Sequence, residues 1–283
     1  MNKLKLLIGL CCGLWILAAS FSACDSRQTG EAGIVPPTDS VLLPDTTADD
    51  SLFSEETEET SAAVDELFDD FIYSFMKNKK FQLSRIKFPL TQIENGKKTR
   101  TNRNAWKHNP LFSESDCYTM IFNDEASIES EKDTSLTEVC VEQIFTSEGK
   151  IKHHRFKKLS GNWQLTEIDT RHFATDANHD FLVFYSNFAT DSVFQRQHTQ
   201  NPLRFRTYDP DNFSNVDGLL DIEQWFAFRP ELPSDNITNI NYGAAMPETK
   251  QRILVISSQS AGMNCTLTFV RYGDTWRLVR FEN

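Results

Sequence analysis

The chain has 283 residues, 39% hydrophobic and 12% aromatic, with a formal net charge of −11. Its length suggests about two domains, and 22 Phe, 5 Trp and 6 Tyr are enough for two cores. Nucleic acid is excluded as a partner, because no basic stripe is present and the acidic excess concentrates at residues 25–60, where ten Asp and Glu face Arg27 alone.

Residues 1–23 read as an export signal. Lys3 and Lys5 precede the apolar run Leu6–Phe21, whose 16 residues fall short of a membrane span of about 20. The junction Phe21-Ser22-Ala23-Cys24 resembles a bacterial lipoprotein lipobox, with Phe21 where the usual pattern has an aliphatic residue. That resemblance implies cleavage before Cys24 and its acylation. The body would then hang from the cell envelope, by expectation at the outer membrane, in the periplasm or on the surface. An uncleaved anchor helix and an ordinary secretory signal are the alternatives.

Residues 24–60 are expected to be a disordered acidic tether: rich in Ser and Thr, poor in aromatics, with Pro36, Pro37 and Pro44. Asp39-Ser40-Val41 and Asp45-Thr46-Thr47 resemble the O-glycosylation sites of Bacteroidetes; a plain solvated linker is the other reading.

The stretch Phe68-Asp-Asp-Phe71-Ile-Tyr-Ser-Phe75, running on to Phe81-Gln82 and Pro89-Leu90, returns 113 residues later as Phe181, Phe184, Phe188, Phe194, Gln195, Pro202 and Leu203. The same offset carries Ser147, Gly149, Phe156, Trp163 and Leu165 onto Ser260, Gly262, Phe269, Trp276 and Leu278. These 12 identities in 42 positions exceed the about two or three expected by chance. The body therefore divides into repeats at 61–172 and 173–283.

In the first repeat, Ser61 opens a helix whose apolar stripe is Val64, Leu67, Phe68, Phe71, Ile72 and Phe75. Asp65, Glu66, Asp69 and Asp70 are expected on its solvated face, and Asn78-Lys79-Lys80 at its end. A short strand at Ile86–Leu90 leads to a turn at Glu94-Asn95-Gly96-Lys97. Strands follow at 118–122, 137–145 and 151–159, then Trp163–Ile168, giving a helix followed by an antiparallel meander. Cys117 and Cys140 read as small core residues, or as neighbours if their strands form a hairpin.

Asp169, His172, Asp176, His179 and Asp180 crowd the junction. They are read either as metal ligands or, preferably, as a linker in which Thr175 or Asp176 caps the next helix; no metal is expected. The second helix repeats the stripe with Phe181, Phe184, Tyr185 and Phe188. Leu182 and Val183 replace Asp69 and Asp70 and are expected to pack on a neighbour, such as the first repeat. Strands at 252–257, 265–272 and 276–281 complete the repeat.

A Phe-rich helix followed by a long meander ending in a Trp-x-Leu strand resembles the NTF2-like fold, an α+β cone of N-terminal helices wrapped by a curved antiparallel sheet. The whole body resembles DUF4348, a family of uncharacterised Bacteroidetes lipoproteins with two tandem domains of this kind. No catalytic residues come with that resemblance. Gly-rich phosphate loops, HExxH and GxSxG motifs are missing from the sequence, so no cofactor is expected. The expected function is a non-enzymatic binding or interaction module whose partner is an envelope protein or a small ligand. A small-molecule or acid–base pocket in one cone is the alternative. His154 shares a strand face with Phe156 and stands where the second repeat has Leu267, so it is a candidate pocket residue. Trp106 and Trp225, each shortly before a Pro, are candidates for the pocket mouths.

Overall fold

A computed structural model of the protein describes residues 64–243, 250–258 and 264–283. The leader, Cys24 and the acidic tether lie outside the described residues.

Each half begins with two short helices. Helix α1 (Phe68–Lys77) buries Phe68, Phe71, Ile72, Phe75 and Met76, and α2 (Lys79–Ser84) follows at once. Their counterparts are α3 (His179–Thr190) and α4 (Ser192–Gln197). Asn78 does not close α1 by charge. It starts α2, its side chain accepting from the amides of Lys80 and Phe81, and Asp191 does the same for Val193 and Phe194. Within each pair a fully buried glutamine of the second helix ties it back to the first. Gln82 Nε2 donates to Phe75 O at 3.0 Å, and Gln195 Nε2 to Phe188 O at 2.8 Å.

The strands of the first half are β1 (Ile86–Glu94), β2 (Lys97–Thr101), β3 (Cys117–Phe122), β4 (Glu138–Phe145), β5 (Lys150–Leu159) and β6 (Asn162–His172). Those of the second are β7 (Thr199–Asp209), β8 (Ser214–Leu220), β9 (Asn236–Asn241), β10 (Gln251–Ser258), β11 (Asn264–Tyr272) and β12 (Thr275–Glu282). Helix α5 (Ile222–Phe228) follows β8. All the strands join one open 12-stranded sheet in the order β2-β1-β6-β5-β4-β9-β3-β10-β11-β12-β7-β8.

Neither half is a simple meander. The pairs β1/β6, β7/β12 and β3/β9 are parallel. The third strand of each half is also exchanged: β9 lies beside β4, and β3 beside β10. Cys117 and Cys140 are therefore not on a hairpin, because β9 separates their strands, and both are free thiols.

The exchange puts the two cores on opposite faces of the middle strands. Along β10, Ile253 and Val255 join the core around Phe68, Phe71 and Phe156, whereas Leu254 and Ile256 join the core around Phe181, Phe188 and Phe269. In β3, Met120 and Phe122 face the first core and Ile121 the second. Strands buried on both faces read as continuous apolar runs, and each such side chain contributes roughly 1.5–3 kcal/mol.

Three readings of the helices change. Asp65 is buried, not solvated: it pairs with Arg85 Nη2 at 2.7 Å and accepts from the Trp163 amide at 2.8 Å. Asp69 accepts from Tyr242 Oη at 2.8 Å, and burial pushes its carboxyl up to about 6. Leu182 belongs to the second core, while Val183 is exposed. The N-cap of α3 is Asn178, whose amide donates to Asp176 Oδ1 at 2.8 Å.

His154 lies inside the first core, fully buried, with Val141 and Ile168 as cross-strand partners. Its Nδ1 is 3.3 Å from Val141 O and its Nε2 3.4 Å from Asn109 Nδ2. A neutral ring that donates from Nδ1 and accepts at Nε2 satisfies both contacts. Burial pushes the imidazole down to about 3. Its contribution to stability is therefore complete above pH 6.5 and is lost as the pH falls from 6.5 towards 3. His154→Leu should cost about 1–3 kcal/mol at neutral pH by stranding Asn109. Denaturant titrations of the variant between pH 6.5 and 4 should show a shallower loss of stability than wild type; an equal slope refutes the assignment.

Residues 64–172 expressed alone would leave β3 without either of its strand partners, because both come from the second half. Light scattering should find a strand-exchanged dimer or aggregate. A stable folded monomer would show that the exchange is dispensable.

Candidate functional site

A groove of about 720 Å³ lies on strands β1, β2, β5 and β6 of the first half. Gln92, Glu94, Lys97, Thr99, Lys152 and Thr170 line it above an apolar floor that includes Phe145 and Ile168. The strand pleat places them together: Gln92 is opposite both Thr99 and Ile168, and Thr170 is opposite Lys152. Lys150 reaches Glu148 at 3.1 Å. Lys152 makes no ion pair among the described residues; burial holds its ammonium below the ordinary lysine value, with Glu94 acting against that shift. The volume suits a small molecule or a peptide segment, and the wall offers donors and acceptors above a modest apolar floor.

The matching region of the second half carries aromatic rings, and the concavity that borders Phe205 there is smaller, about 430 Å³. At the same offset, Phe205 stands for Gln92, Thr207 for Glu94, Cys265 for Lys152 and Phe281 for Ile168. Phe205 and Phe281 pack with ring centroids 5.5 Å apart, and Trp225 from α5 adds a third ring 5.3 Å from Phe281. Gln92, Glu94 and Lys152 therefore line the first groove where Phe205 and Phe281 narrow the second.

None of the three candidate pocket residues borders this groove. His154 is internal. Trp106 is half-buried and donates from Nε1 to Gln82 Oε1 at 3.0 Å. Trp225 is fully buried in the second core. The junction residues disperse. Asp169 pairs with Arg171 and Asp180 with Arg271, while His172 stacks on Phe173 and His179 packs against the same ring. Among the described residues no three His, Cys, Asp or Glu side chains converge as a metal set. Asp176 does meet a partner that the sequence left unnoticed, His153.

A family model described as a domain of unknown function, DUF4348, matches residues 45–283. No curated protein matches. The solved structure of an NTF2-like protein from Bacteroides fragilis NCTC 9343 is similar, at 39% identity and a TM-score of 0.73, over 77% of this chain and 96% of that one. The fold is thus NTF2-like, an α+β arrangement with an unclosed sheet. The chain belongs to the DUF4348 family.

Proposed function

We propose that the protein is a membrane-anchored lipoprotein, acylated at Cys24, whose body is a non-enzymatic binding module of two tandem NTF2-like units, and that the open groove of the first unit is its binding surface. The lipobox and the acidic tether support the anchoring. The observation that carries the binding role is the divergence of the two mouths, with Gln92, Glu94 and Lys152 in one where Phe205, Thr207 and Cys265 stand in the other. Stability alone favours the aromatic version, because a half-buried Phe such as Phe205 still gains part of the roughly 1.5–3 kcal/mol of full burial that Gln92 forgoes. A retained polar groove is what a ligand or partner requires. Catalysis by His154 draws no support, since its ring is buried, neutral and committed to Asn109 and Val141.

Native mass spectrometry of the protein from its own host tests the groove. Wild type should retain a small molecule or partner chain, and the double variant Gln92→Phe, Glu94→Thr should lose it while keeping its circular dichroism and a melting temperature at or above that of wild type. Equal retention by the variant, or an empty wild type, speaks against the groove. Cys24→Ser should move the protein from the membrane fraction to the soluble one; a variant that still sediments with membranes would remove the anchor.

A further inference from the structure

On the opposite face of β4 and β5 lies a second cavity, of about 270 Å³, enclosed by those strands, by residues 171–177 and by Asn241. Its floor is acidic. Glu142 is buried, its Oε2 accepting from Asn239 Nδ2 at 2.8 Å and its Oε1 from Asn241 Nδ2 at 3.4 Å. His153 Nε2 lies 4.0 Å from Glu142 Oε1 and 3.7 Å from Asp176 Oδ2, beyond hydrogen-bond reach of both. His153 Nδ1 is buried without a partner. Two carboxylates thus share one imidazole and three neutral amides, those of the Asn239 and Asn241 side chains and the Asn178 backbone.

The rim is basic. Arg155 and Arg171 border the cavity, and each is half-exposed. Each already answers one carboxylate, Glu167 and Asp169 respectively, but a guanidinium has five N–H donors and one ion pair leaves some free. The cavity therefore runs from an uncompensated negative floor to a positive rim. Of the two carboxylates, Glu142 is the one whose charge is not fully answered. Burial pushes the Glu142 carboxyl up, a sign that its charge lacks a full counterpart. Asp176 is also pushed up by burial, but His153 and the Asn178 amide outweigh that and hold it below the ordinary range.

We propose that this cavity binds a small zwitterion of the free amino-acid class, its ammonium group seated between Glu142, Asp176 and His153 and its carboxylate held at the rim by Arg171 and Arg155. An ammonium has three donors for the three acceptors on the floor. Its charge supplies what the floor lacks, because a buried carboxylate without a counter-charge is strongly unfavourable. The volume equals that of about nine liquid waters, room for a molecule of several heavy atoms. This site is separate from the groove, so its failure would leave the groove proposal standing.

Thermal shift and calorimetry on the full body test it, with glycine, L-alanine and L-serine as probes. Methylamine carries only the cation, acetate only the anion, and calcium and zinc only charge. At least one amino acid should raise the melting temperature and bind at least tenfold more tightly than methylamine or acetate. Glu142→Gln should lower that affinity at least tenfold. Asp176→Asn, on a more exposed segment, gives the same readout should Glu142→Gln fail to fold. Stabilisation by metal ions alone would make this a cation site and overturn the proposal. So would the absence of any amino-acid effect at millimolar concentration, or full affinity in Asp176→Asn.

Discussion

Asn239 holds the two halves together where the backbone does so least. The middle of the sheet is the parallel pair β3/β9, and only Thr119 and Asn239 stand in register there. Asn239 is fully buried; its Oδ1 accepts from the Ile121 amide at 2.7 Å and its Nδ2 donates to Glu142 at 2.8 Å. Thr119 Oγ1 adds a hydrogen bond to Thr238 O. Side chains thus take over the pairing that the ladder does not supply, and an orphaned buried amide or carboxylate here would cost about 1–3 kcal/mol or more. Both cores depend on this seam, since β3 and β10 present alternate residues to each of them.

The exchange of β3 and β9 gives one chain the cohesion of an isologous dimer. It also frees the outer parts of each half to diverge. Close to the seam and the helices the halves keep the same devices: Asn78 and Asp191 as caps, Gln82 and Gln195 as buried clamps, Phe156 and Phe269 as ring anchors. At the mouths they differ, with Gln92 and Lys152 on one side and Phe205, Phe281 and Trp225 on the other. Shared frame and divergent rim together leave the larger, more polar groove in the first half.

Local periodicity made the helices and most strands legible, and the 113-residue offset brings the helix pairs α1–α2 and α3–α4 into correspondence. What the sequence could not reveal is pairing over distance. Asp65 looks solvated on a helical wheel because its acceptor role is completed by the Trp163 amide, 98 positions away, and Asp69 meets Tyr242 across 173. The exchange of β3 and β9 is invisible for the same reason: strand propensity says that a run pairs, not with which partner. Lys152 aligned with Cys265, but a lysine on a strand reads as a solvated residue until the sheet's curvature makes that face a groove. Glu142 carried a better signal, as one acid inside the apolar run Val139-Cys-Val-Glu-Gln-Ile-Phe145. A charge in a run buried on both faces demands partners.

Glu142 also connects the seam to the second cavity. Its Oε2 is used by Asn239 and its Oε1 faces His153 and Asp176, so one carboxylate is both a strut of the sheet centre and the floor of a pocket. Burial disfavours its charge, yet only the charged form accepts from Asn239 and Asn241 at full strength. A cationic group in the pocket would resolve that conflict by stabilising the carboxylate without competing for Asn239. Occupancy of the pocket and cohesion of the two halves are then coupled through a single side chain, and by reciprocity whatever an occupant adds to the β3/β9 seam, the intact seam adds to binding of that occupant.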